Sequence, residues 1–177
     1  MIFRRNRQAG GTALVYTEFG KHMRLYALTL CAATALAASA VTAQDNLITA
    51  NPDAIAAQLQ AAGLKTEIGT DSEGDPSITS FAADSNFEVY FYGCTAGKDC
   101  LSVQMNACFD TPEGIAFEVI NTWNFDMRYG KASLDNAKDP CLKMDVDLTN
   151  GVAAATFQSS LTTWVDLLGR FRAVLTG

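Results

Sequence analysis

Phe87-Glu88-Val89-Tyr90-Phe91-Tyr92, and beyond the loop Gly93–Asp99 the run Leu101-Ser102-Val103-Gln104-Met105-Asn106-Ala107-Cys108-Phe109, decide the fold. In the first, Phe87, Val89 and Phe91 alternate with Glu88, Tyr90 and Tyr92. In the second, Leu101, Val103, Met105, Ala107 and Phe109 alternate with polar residues at Ser102, Gln104 and Asn106. Successive side chains of a strand point to opposite faces, so this period of two predicts neighbouring strands with one buried and one wet face.

Upstream, Asn51 or Asp53 caps a helix with Pro52 in its first turn; Ile55, Leu59 and Ala62 line its inner face and Gly63 stops it. Strands are expected at Leu64–Ile68 and Ser77–Phe81, joined by the acidic turn Asp71-Ser72-Glu73-Gly74-Asp75-Pro76. Downstream, Thr111 as cap and Pro112 at the first position open a second helix, with Ile115, Val119, Ile120 and Trp123 as its inner stripe. Strands follow near Lys131–Leu134 and Cys141–Leu148. Asn150-Gly151 then turns the chain into a last helix, whose stripe is Phe157, Leu161, Trp164, Val165, Leu168, Phe171 and Leu175. The order is α-β-β-β-β-α-β-β-α. Segregated helices and strands predict an α+β fold, an antiparallel sheet with helices packed on its apolar face.

The N-terminal part reads differently. Met23-Arg24 is followed by an apolar, Ala-rich run and by small residues at Val41-Thr42-Ala43, the three parts of a cleavable export signal over residues 23–43, cut after Ala43. Residues 1–22, with Arg4, Arg5, Arg7 and Lys21, are either a long basic n-region or an upstream extension with translation starting at Met23; the second is preferred. Residues 44–50 form a flexible tail, and 51–177 the domain. Of thirteen Lys and Arg five precede Gln44, and of nineteen acidic residues only Glu18 does, so residues 44–177 carry a net charge of −10. Such a surface repels nucleic acid and anionic lipid, which bind through clustered positive charge. Neither nucleic-acid binding nor stable membrane insertion is expected after cleavage, and the compartment is periplasmic or extracellular.

The exported part keeps four cysteines, Cys94, Cys100, Cys108 and Cys141. An even number in an exported chain implies two disulfides, for which three pairings exist. Strand parity places all four on the polar face. A hairpin about Gly93–Asp99 then sets Cys94 beside Cys100, leaving Cys108 to pair with Cys141. The spacings do not suit a Cys₄ zinc site, which wants close C-x₂-C pairs.

The only histidine, His22, precedes the cleavage site, which removes Ser-His-Asp and Cys-His schemes and imidazole metal sites. No C-x-x-C and no Gly-x-Ser-x-Gly follow, and no cofactor, metal site or catalytic residue is expected. Asp71–Asp75 lacks the Gly and distal Glu positions of a calcium loop and reads as a solvated turn. Asp145 and Asp147 read as surface charges, Trp123 and Trp164 as core, and Asn121 and Asn124 as partners of helix-end backbone groups. Three residues are kept as binding candidates: Tyr90 and Tyr92, aromatics grouped on a wet sheet face, and Arg128.

One more pattern runs through the second half: Asn121-Thr122-Trp123-Asn124, then Arg128 and Gly130-Lys131-Ala132, the acidic-apolar strand through Asp147-Leu148, and Asn150-Gly151-Val152 leading to Trp164 and Phe171. This resembles the YbjN family, bacterial proteins labelled sensory transduction regulators, over the chain from about Asn51 to Phe171. The resemblance implies a fold like that of type III secretion chaperones and frequent dimers, and brings no catalytic residues. A signal segment and four cysteines set this chain apart from cytoplasmic members. The function expected is a non-enzymatic protein- or peptide-binding, chaperone-like module of the periplasm, with an envelope protein or peptide, or a second copy, as partner. The alternatives are an envelope hydrolase working through carboxylates, or a structural self-associating domain.

Overall fold

The computed structural model describes residues 47–176. The expected extension and signal, 1–22 and 23–43, lie outside them. In chain order the elements are β1 (Leu47–Ile48), α1 (Pro52–Ala61), β2 (Thr66–Thr70), β3 (Pro76–Ala82), β4 (Ser85–Tyr92) and β5 (Ser102–Cys108). Then come α2 (Phe117–Asp126), β6 (Lys131–Leu134), β7 (Pro140–Asp147), β8 (Val152–Ala153) and α3 (Ala154–Thr176). Apart from the two-residue strands β1 and β8, which pair with each other, the order is the expected one. Six strands form one antiparallel sheet in the order β2-β3-β4-β5-β7-β6.

Alternation builds the core. Ile78, Val89, Met105 and Met144 are register partners across four strands, and all are buried. Phe87, Phe91, Val103 and Leu142 extend this inner face. Against it lies α3, whose Phe157, Leu161, Trp164, Leu168 and Phe171 recur at helical spacing and are all buried, as is Leu167, which the expected stripe omits. Trp164 meets Phe87 edge-on at 5.6 Å between ring centroids, and Phe171 sits between Phe109 at 5.9 Å and Trp123 at 4.8 Å. Such pairs contribute about 0.5–1.5 kcal/mol each beyond area burial.

Four expectations are corrected. Of the expected flexible tail, residues 47–50 are held in place: Ile48 and Ala50 are buried, Ile48 pairs with Val152, and Ala50 bridges Cys100. The first strand lies at Thr66–Thr70, not Leu64–Ile68, because Leu64 is still spent closing α1, its N–H donating to the Leu59 carbonyl. On α1, Ala56 is buried and Ala62 exposed. The second helix starts at Phe117 rather than after Thr111. Gly114 takes a positive φ of 65°, which interrupts a helix, and the Thr111 hydroxyl and N–H both donate to Asp139 Oδ1 instead of capping. Asn51 does cap α1, accepting from the Ala54 N–H at 3.1 Å.

Candidate functional site

The disulfides join Cys94 to Cys100 and Cys108 to Cys141. Cys108 and Cys141 face each other in the β5–β7 register. The polar-face expectation does not hold for the other pair: Cys100 belongs to the hydrophobic core and Cys94 packs against it, so this bridge fastens the β4–β5 loop to the core.

On the outer face, Tyr90 stands beside Gln104, and Gln104 beside Asp145. The Tyr90 hydroxyl donates to Glu88, and the Gln104 side-chain amide donates to Asp145 Oδ1 at 2.6 Å. Tyr92, on the next row, is exposed. Partial burial, and then the negative charges of Asp145, Asp71 and Glu73, raise its phenol above the ordinary tyrosine range. Asp71 is itself committed to its turn, accepting from the N–H groups of Glu73 and Asp75. Asp147 accepts from the Thr149 hydroxyl at 2.6 Å and N–H at 2.9 Å, which lowers its carboxyl below the usual range. No cluster of His, Cys, Asp or Glu that could hold a metal ion occurs among the described residues.

Arg128 is not part of this face. It follows α2, on the helix side of the sheet, exposed, with its guanidinium 5.3 Å from the centre of the Tyr129 ring. The three candidates therefore fall on opposite sides of the molecule. Near Arg128 lies a surface the sequence reading missed. Phe117 and Phe125 are 67 % and 88 % exposed, two turns apart on α2, and Tyr129 is 61 % exposed beyond its end. The same helix borders a groove of about 350 Å³ lined by Glu118, Val119, Thr122, Trp123, Asp126 and Met127 of the α2 segment and Val174 of α3, with neither phenylalanine in its lining. The signal for it is available in the residues, since two phenylalanines eight positions apart stand off the stripe that Ile120 and Trp123 define.

The cavity of about 640 Å³ between the start of α1, the Cys94–Cys100 loop and Thr149 gathers Lys98, Asp99 and an Asn51 already used as a cap. No set of convergent groups marks it as a reaction site.

The Trp-Asn pair at the end of α2 holds structure. Trp123 is buried, its Nε1–H donating to the Gly130 carbonyl at 3.3 Å. The Asn124 side-chain amide donates to the Ala132 carbonyl at 3.0 Å and accepts from the Ala132 N–H at 2.8 Å. One side chain thus takes both main-chain groups of an edge-strand residue, as a further strand would. No curated protein matches the chain. A comparison with known families matches residues 51–176 to YbjN, described as "Putative bacterial sensory transduction regulator". That span takes in α1 and the whole six-stranded sheet, the Trp123-Asn124 clasp and α3, and the chain belongs to the YbjN family.

Proposed function

We propose that this protein is a non-enzymatic, periplasmic protein-binding module, and that its partner docks on the exposed face of α2. The compartment rests on the export signal expected over residues 23–43 and on the two disulfides, which oxidising compartments permit. Among the described residues no helix is long and apolar enough to cross a membrane. The observation that carries the docking surface is the exposure of Phe117 and Phe125 on α2, the helix that also borders a groove lined by Trp123 and Met127, although neither phenylalanine lines that groove. Large aromatics held in water are enriched in the core of protein interfaces. The groove's charged residues, Glu118 and Asp126, are both acidic, and Phe117–Asp126 contains no Lys or Arg. The partner is therefore an envelope protein segment with apolar side chains flanked by basic ones. The tyrosine face is a poorer candidate, because the Tyr90 hydroxyl is already bonded to Glu88.

The test is photo-crosslinking in the native cells with a benzophenone amino acid at position 125, at 92 on the sheet, or at 162 on α3. Position 125 should give one specific adduct, joined to a partner peptide of apolar and basic residues and lost on Phe117→Ser. Equal yields at 125 and 162, adducts at 92 alone, or only self-adducts at 125 would each overturn the reading.

A further inference from the structure

The sheet has two edges, and they are finished differently. Asn124 closes β6. At the other end β2, Thr66-Glu67-Ile68-Gly69-Thr70, has no strand beyond it among the described residues; it carries neither Lys nor Pro, and Glu67 is its one charged residue. Its free groups can be assigned. The Asp71 N–H donates to the Asp75 carbonyl at 2.8 Å, so that pair is a hydrogen-bonded position of the β2–β3 ladder. Bonded and non-bonded pairs alternate in an antiparallel ladder. With the observed register, Gly69–Ser77 and Glu67–Thr79 are then bonded pairs, and the N–H and C=O of Thr66, Ile68 and Thr70 point to the open edge.

These three residues are symmetric about Ile68. We infer that β2 pairs antiparallel with β2 of a second copy, on a two-fold axis through Ile68, joining two sheets into one of twelve strands. In that register Ile68 faces its own copy and Thr66 faces Thr70. All three outward N–H and all three outward C=O groups of each strand find partners. The side chains agree. Glu67 meets Gly69 of the other copy, so no like charges stand opposite, and Ile68, 47 % exposed in the monomer, meets an isoleucine. A peptide of another sequence would satisfy the same backbone groups, but the strand's self-complementarity selects a second copy. Five residues a side make a small interface, so association is weak and concentration-dependent.

Sedimentation equilibrium of the oxidised protein should show a monomer–dimer equilibrium with a micromolar-range constant. Ile68→Lys, which sets two ammonium groups across the axis, and Thr70→Pro, which removes one outward N–H, should each weaken it roughly tenfold with unchanged circular dichroism. Phe125→Ser should leave it unaltered. In Ile68→Cys the paired Cα atoms, about 5.5 Å apart, should oxidise to a disulfide-linked dimer. A protein monomeric to millimolar concentration, a dimer indifferent to Ile68→Lys, a dimer broken by Phe125→Ser instead, or a dimer that Ile68→Cys fails to crosslink would each overturn the inference.

Discussion

Asn124 meets the N–H and the C=O of Ala132 with one planar amide, which no other side chain of its size except aspartate approaches in shape. Asn124→Ala should cost about 1–3 kcal/mol, the net of two hydrogen bonds, in urea denaturation, with faster amide exchange at Ala132. Asn124→Asp should be no better, since a carboxylate oxygen would then face the Ala132 carbonyl. Asp147 is a second residue whose neighbours set its behaviour. The Thr149 hydroxyl, and after it the Thr149 N–H, hold its carboxyl below the ordinary value. A lowered folded-state pKa stabilises the fold at neutral pH, and the contribution is lost as pH falls through that pKa. Thr149→Val removes the larger cause, so the Asp147 titration followed by NMR should move up towards the ordinary carboxylate range. At this scale the sequence is partly legible. That Asn124 bonds backbone groups follows from its chemistry near a helix end. Which strand it clasps does not, because Ala132 reaches it only after the turn through Gly130 has been made.

At the scale of elements, α2, β6 and the turn between them act as one piece. Gly130 is buried, its carbonyl receives Trp123, and a Cβ added there would lie 3.0 Å from Leu142 Cδ1 and 3.1 Å from Leu167 Cδ1. Gly130→Ala should therefore destabilise by about 1–3 kcal/mol through overpacking, read as a lower Tm. The strands from β3 to β7 are legible because each buries one face, so the alternation appears directly in residues such as Phe87, Val89 and Phe91. The start of α2 is not. Thr111 and Pro112 have the chemistry of a helix start, but Gly114 at positive φ and the pull of Asp139 on Thr111 are tertiary facts. The α2 surface escapes for another reason. A search for periodic apolar residues looks for what faces inward, and Phe117 and Phe125 face out.

For the whole molecule, the disulfides differ in what they constrain. Cys94–Cys100 closes six residues and Cys108–Cys141 closes 33. Loop-closure entropy assigns about 2 kcal/mol to the first and about 4 to the second. Cys108→Ala/Cys141→Ala should accordingly lower the unfolding free energy in guanidinium more than Cys94→Ala/Cys100→Ala does.

The longer bond also divides the chain mechanically. Everything between Cys108 and Cys141, including all of α2 and β6, is bypassed by the covalent path from Cys108 across the sulfurs to Cys141. Stretched by its ends in an optical trap, the oxidised protein should lengthen without those residues. Adding reductant should release a hidden contour of about 110–120 Å, at some 3.3–3.6 Å per residue. Under tension, the segment that carries the exposed phenylalanines is slack.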